Sequence, residues 1–293
     1  MRLVLHIGAH GTDGGRIAAW IARNRGALEA GGIAAPPPRQ MLARISQALD
    51  EERDADPLQR EEALLRGLGA SGQRLRMVVS APGLLGAAAE VLAPGGFYAH
   101  DVARRLYGLR TLFPRTRLTL LLAVRRASGI LPAILPDEPG AAEALLPMVG
   151  DETLPWSRLV GAIRQQLPRA TLVVWRHEDL PRVWPGVLGE IVGPKLPLPP
   201  TGLLDFATEE LNAEARLRMN RYLAEAETAP VSAGQLRLMA EAFGRRYGTA
   251  AKKDPAAQQP GWVRNRLAEL DSGYATEWGD ILGIDGVRGL MPA

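Results

Sequence analysis

Cysteine is absent from this 293-residue chain, which excludes a disulfide framework, a thiolate metal site and a cysteine nucleophile. Lysine is scarce: of 35 basic residues only Lys195, Lys252 and Lys253 are lysines, and the rest are arginines. Aromatic residues make up 5% and do not alternate with the basic clusters, so the stacking platforms of single-strand nucleic-acid binders are missing and nucleic acid is not an expected partner. No apolar run approaches the ~18 residues of a membrane helix; the longest runs from Leu118 to Val124. Leu3-Val4-Leu5 at the start is too short for the apolar region of a secretory signal. These absences describe a soluble, untargeted chain, expected in the cytoplasm and without a membrane partner.

What is present fits a globular protein: 46% hydrophobic and 23% charged residues, with a net charge of +3. Arginine offers a planar fork suited to phosphate and sulfate groups. Continuous apolar runs bounded by polar residues or Gly and Pro read as strands buried on both faces, at Arg2 to Ile7, Leu75 to Ser80, Arg117 to Val124 and Thr171 to Trp175. Between them lie helical stretches. Ile17, Ile21, Asn24 and Leu28 fall on one face, and Gly31-Gly32 closes that helix. Strand followed by helix, repeated, implies crossovers and a parallel sheet.

The expected fold is therefore α/β, with a central parallel sheet of four or five strands flanked by helices. The core spans residues 1–200 and a helical C-terminal extension spans 201–293. Arg39 to Gly69 reads as two surface helices broken near Pro57. In the extension, Leu211, Ala215, Met219, Tyr222 and Ala226 form one apolar stripe. A second stripe, at Leu236, Ala240, Phe243 and Tyr247, follows the capping pair Ser232 and Gln235, and a last helical region runs from Trp262 to Leu282.

The stretch from Leu3 to Arg16 is the most informative. A buried strand runs into a glycine-rich turn, His10-Gly11-Thr12-Asp13-Gly14-Gly15, that opens a helix. That context directs backbone N–H groups and a helix N-terminus at one point, the physical recipe for holding phosphate or sulfate. It is not a Walker A loop, because Gly15 and Arg16 stand where Lys and Ser/Thr are required.

Together with Asn24-Arg25 and Gly32-Ile33, His6-Ile7-Gly8-Ala9-His10 resembles the start of bacterial sulfotransferase-family proteins, whose loop is of the type H-I-G-x-x-K-T-G-T-T. Three further pieces agree in order. Val78-Val79-Ser80 resembles the second strand, Leu121 to Arg126 the strand that ends before the family's 3'-phosphate site, and Trp175 to Leu180 the family's Y-E-D-L segment. The resemblance covers about half the chain. It implies a P-loop NTPase-like sulfotransferase fold, with transfer of a sulfuryl group from 3'-phosphoadenosine 5'-phosphosulfate (PAPS) to a hydroxyl or amine of a small-molecule or carbohydrate acceptor. Gly11, Thr12, Asp13, Gly14 and Gly15 would cradle the 5'-phosphosulfate and Arg125 or Arg126 would clamp the 3'-phosphate, with no metal.

The chain departs from the pattern at the chemical positions. The family's loop Lys is Gly11, its glycine is Asp13, and the Ser of its 3'-phosphate site is Ala133, for which Ser128 is the nearest substitute. Arg16 is the candidate replacement cation and His10 the candidate base, since histidine is best poised to take a proton near neutral pH. His100 is a weaker candidate, and His6 and His177 read as packed against strands. The adjacent carboxylates Asp137-Glu138 and Glu178-Asp179 do not form a ready metal-ligand pair, and Asp179 reads as a helix N-cap. Two functions follow: a divergent sulfotransferase, or a catalytically impaired relative that binds an anion, a nucleotide or a partner without turnover.

Overall fold

The computed structural model describes residues 1–50, 56–70, 76–93, 96–99, 102–135, 140–149, 153–194, 196, 201–203, 205–206, 211–226, 238–239, 242, 246 and 259–292. His100, Asp137-Glu138, the capping pair Ser232 and Gln235, and the second stripe from Leu236 to Tyr247 lie outside the described residues.

Among the described residues there are eight strands: β1 (Arg2–Gly8), β2 (Ile33–Ala34), β3 (Arg76–Ser80), β4 (Leu92–Ala93), β5 (Gly96–Phe97), β6 (Arg117–Val124), β7 (Thr171–Arg176) and β8 (Val287–Gly289). β4 and β5 form a small antiparallel pair. The other strands make one six-stranded sheet, ordered β2-β3-β1-β6-β7-β8 and parallel throughout. The sheet is thus wider than the four or five strands expected. β2 and β8 are too short to carry a hydrophobic pattern of their own, and β8 brings the C-terminal region into the sheet beside β7.

The α-helices whose bounds fall among the described residues are α1 (Arg16–Arg23), α2 (Arg25–Ala30), α3 (Pro38–Asp50), α4 (Pro57–Gly67), α5 (Val102–Leu112), α6 (Ala127–Ile134), α7 (Ala141–Leu145), α8 (Trp156–Gln166), α9 (Leu180–Val192), α10 (Ala213–Ala226), α11 (Gly261–Ser272) and α12 (Tyr274–Leu282). Alternation along β1 sends Leu3, Leu5 and Ile7 to one face of the sheet and Val4 to the other. The first face packs against α3, α4, α5, α6, α8, α11 and α12, and the second against α1, α2, α9 and α10. Helices on both faces explain why the central strands are apolar without interruption.

The helix after β1 is broken at Asn24, which stays buried and donates its side-chain N–H to the Trp20 carbonyl at 2.9 Å. Leu211, just before α10, and Ala215 and Met219 within it are buried as their spacing implies. Tyr222 is the exception and stands exposed. No described helix is long and apolar enough to cross a membrane.

Strand order also marks a candidate site. From β1 the chain passes to β2 on one side, whereas from β6 it passes to β7 on the other. The loops at the carboxyl ends of these neighbouring strands therefore diverge, and in open α/β sheets ligands bind in the crevice at such a switch point. The turn at residues 9–15 and the pair Arg125-Arg126 flank that crevice.

Candidate functional site

The turn after β1 is built on glycines that other residues replace only with strain. Gly11 has φ 65 and Gly15, immediately before α1, has φ 77, both in the left-handed region that favours glycine. A Cβ at Gly11 would lie 2.9 Å from the Cβ of Ala133. The position that the sequence resemblance matches to a lysine is therefore one where this chain requires glycine.

The geometry gives Asp13 a role other than cradling. Its side chain is buried and folds back onto the start of α1, where Oδ1 accepts the Gly15 N–H at 3.3 Å and Oδ2 the Ile17 N–H at 2.9 Å. Its backbone carbonyl takes the Arg16 N–H at 3.2 Å. A carboxylate here satisfies otherwise unpaired amides and lies at the positive end of the helix dipole. It stands where the sequence placed a phosphosulfate.

The rest of the turn is also engaged. Thr12 is buried and donates its hydroxyl to the Ala9 carbonyl at 2.6 Å. The Arg125 guanidinium donates to the Gly11 carbonyl. Arg16 donates to the Asp13 carbonyl and lies over the ring of Phe206, 4.8 Å from its centroid. Arg16 therefore bridges the turn and the segment that follows α9. The N–H groups of Gly11 and Gly14, both exposed, take no acceptor among the described residues.

His10 is held by Tyr98. The Tyr98 hydroxyl accepts the His10 backbone N–H at 3.1 Å and lies 2.9 Å from Nδ1. Its own proton is then free to point at Nδ1. Burial lowers the His10 pKa, while the Gly86 backbone and Glu90 act in the opposite direction. The neutral ring is thus favoured near pH 7, and its Nδ1 is engaged by the phenol rather than left open to an acceptor. Tyr98 itself has φ 51, a conformation that costs a non-glycine residue about 1–3 kcal/mol. Packing on Phe97 at 4.8 Å and Trp156 at 6.0 Å, together with the His10 contacts, holds it there.

The far side of the crevice is closed in the same way. Ser128, in the first turn of α6, donates both its N–H, at 3.2 Å, and its hydroxyl, at 2.5 Å, to Asp271 of α11. The Arg126 N–H donates to Glu178 Oε1 at 3.0 Å, and Tyr274 donates its hydroxyl to Oε2 of the same carboxylate at 2.9 Å. Burial and the Glu178 charge push the Tyr274 phenol upward in pKa. Glu277 of α12 accepts the Ser157 N–H at 2.7 Å in the first turn of α8. Three helices that begin on this edge, α1, α6 and α8, thus each have a carboxylate of the chain at their N-terminal turn. Arg126 is exposed, and its guanidinium makes no hydrogen bond or ion pair among the described residues.

Asp179 precedes α9 as expected, but its carboxylate accepts Arg176 Nε at 2.7 Å rather than a helix amide. His6 is packed within the sheet: Nδ1 is 2.9 Å from Ser80 Oγ and the ring stacks on Trp175 at 6.2 Å. Sequence reasoning missed Tyr98, Asp271, Tyr274 and Glu277, whose partners lie 88, 143, 96 and 120 positions away along the chain. No local motif marks such pairs. Comparison with protein-family models, curated proteins and solved structures found no match to this chain.

Proposed function

We propose that this chain is a catalytically silent protein on a P-loop NTPase-like, sulfotransferase-like frame, serving as a binding or scaffold module rather than transferring sulfuryl groups. The observation that carries this reading is the position of Asp13. A carboxylate already bonded to the Gly15 and Ile17 amides competes directly with any anion at the start of α1, and bringing a phosphosulfate beside it sets like charges against each other in a partly buried site.

The other chemical positions support the same conclusion. Gly11 replaces the lysine that neutralises charge on the bridging oxygen, a loss of the order of 3–4 kcal/mol in transition-state stabilisation. Ser128, the substitute for the serine of the 3'-phosphate site, has Asp271 in front of its hydroxyl. His10, the candidate base, has its Nδ1 turned to Tyr98. The residues present therefore fit PAPS poorly, and no step of the reaction is assigned to them.

Incubation of the purified protein with PAPS and a panel of hydroxyl and amine acceptors, followed by mass spectrometry for adenosine 3',5'-bisphosphate, tests this. Release at the rate of the protein-free control is expected. Acceptor-dependent release well above it overturns the proposal.

A further inference from the structure

The opposite edge of the sheet carries a pattern that the switch-point crevice does not use. Arginine stands at or just before the amino end of each of the four central strands: Arg76 on β3, Arg2 on β1, Arg117 on β6, and Arg169 in the turn before β7. Parallel register sets Arg2 directly beside both Arg76 and Arg117. The pairing of Thr119 with Thr171 brings Arg169 to the same end. Strands lie about 4.8 Å apart, so the row spans about 14 Å.

Like charges opposite one another on neighbouring strands repel. Arg76 has its pKa lowered by burial and then by the charge of Arg2. Arg76 is anchored, donating to the carbonyls of Glu190 at 2.8 Å and Ile191 at 3.2 Å. Arg2, Arg115, Arg117 and Arg169 are exposed, and none of their guanidinium groups is paired with a carboxylate among the described residues. Two acidic side chains on this side of the molecule are committed elsewhere. Glu61 is buried and accepts the Arg115 and Thr116 amides at 3.1 and 2.8 Å, and Glu190 pairs with Arg288 at 2.5 Å.

We infer that this amino-terminal edge is a binding surface for a linear oligophosphate, with Arg2, Arg117 and Arg169 as the contacting residues and Arg115 beside them. A chain of phosphates supplies repeated negative charge along the row and relieves the repulsion between adjacent arginines. Each guanidinium fork suits two phosphate oxygens. The surface lies at the end of the sheet away from Asp13, so it neither requires nor excludes the function proposed above.

The test is calorimetric titration of the full-length protein with inorganic tripolyphosphate at low and moderate salt, repeated on Arg2→Ala/Arg117→Ala and on Arg169→Ala. Saturable binding is expected at low salt, weakening as salt rises, with at least a tenfold loss in the double variant and a smaller loss in Arg169→Ala. The loss caused by Arg2→Ala/Arg117→Ala should be the same in an Asp13→Asn background, which separates this surface from the turn after β1. Should the double variant fail to fold by circular dichroism, Arg169→Ala and the salt series still decide the matter. No binding at millimolar tripolyphosphate, affinity unchanged in the variants, or binding of single-stranded oligonucleotide or sulfated oligosaccharide without tripolyphosphate overturns the inference.

Discussion

Asp13 accepts the backbone N–H of Ile17 at 2.9 Å, so the first turn of α1 is closed by a carboxylate that belongs to the chain. This contact makes Asp13 a structural cap on the helix. Asp13→Ala should therefore lower stability by about 1–2 kcal/mol. Asp13→Asn, which keeps a side-chain oxygen, should lose less. Chemical denaturation of both variants measures the difference, and an Asp13→Ala protein as stable as the native one removes the capping role.

Asp271 performs the corresponding task for α6. Replacing it by Ala leaves the Ser128 N–H and hydroxyl without their acceptor, an expected loss of about 1–2 kcal/mol. Asp271→Asn should recover most of it. Equal losses for the two substitutions in a denaturant series contradict this assignment.

Tyr98→Phe removes one oxygen that serves two groups of His10. The part-buried N–H then lacks an acceptor, and a fall of about 1–3 kcal/mol is expected. A Tyr98→Phe protein that melts at the native temperature shows that the hydroxyl carries no such load.

Stability should depend on pH with a definite sign. Burial lowers the pKa of both His6 and His10 below the ordinary value of 6.5, with Asp13 opposing the shift at His6. In the window just under 6.5 the unfolded chain binds protons that the folded chain refuses. Stability therefore rises with pH there and is lost as pH falls from about 7 to about 5. Melting temperatures across that range should decline toward acid, less steeply in His10→Gln. A flat or rising profile toward acid contradicts the argument.

The frame was largely legible in the residues, for an identifiable reason. β1, β3, β6 and β7 are buried on both faces, so each appears as an unbroken apolar run, and helical spacing marks Ile17, Ile21 and Leu28. β2 and β8, of two and three residues, depend on pairing with a neighbour and leave no such trace. The location of the candidate site was equally legible, because a strand running into glycines and then a helix always presents amides at that corner. What occupies the corner was not. Asp13 is a charge that, from sequence, faces an incoming anion, and only the backbone path shows it reaching Gly15 and Ile17 instead. Ser128 likewise reads as a free hydroxyl until α11 places Asp271 against it.

The most direct measurement is calorimetric titration of the native protein with adenosine 3',5'-bisphosphate, read beside Asp13→Asn. On the proposed reading, in which Asp13 and Asp271 take the places of the two phosphate groups, the native protein should show no saturable heat at millimolar ligand, and removing the charge at Asp13 should strengthen any residual binding. Tight, saturable binding by the native protein that Asp13→Asn leaves unchanged would contradict the claim that the chain's own carboxylates have taken the ligand's place.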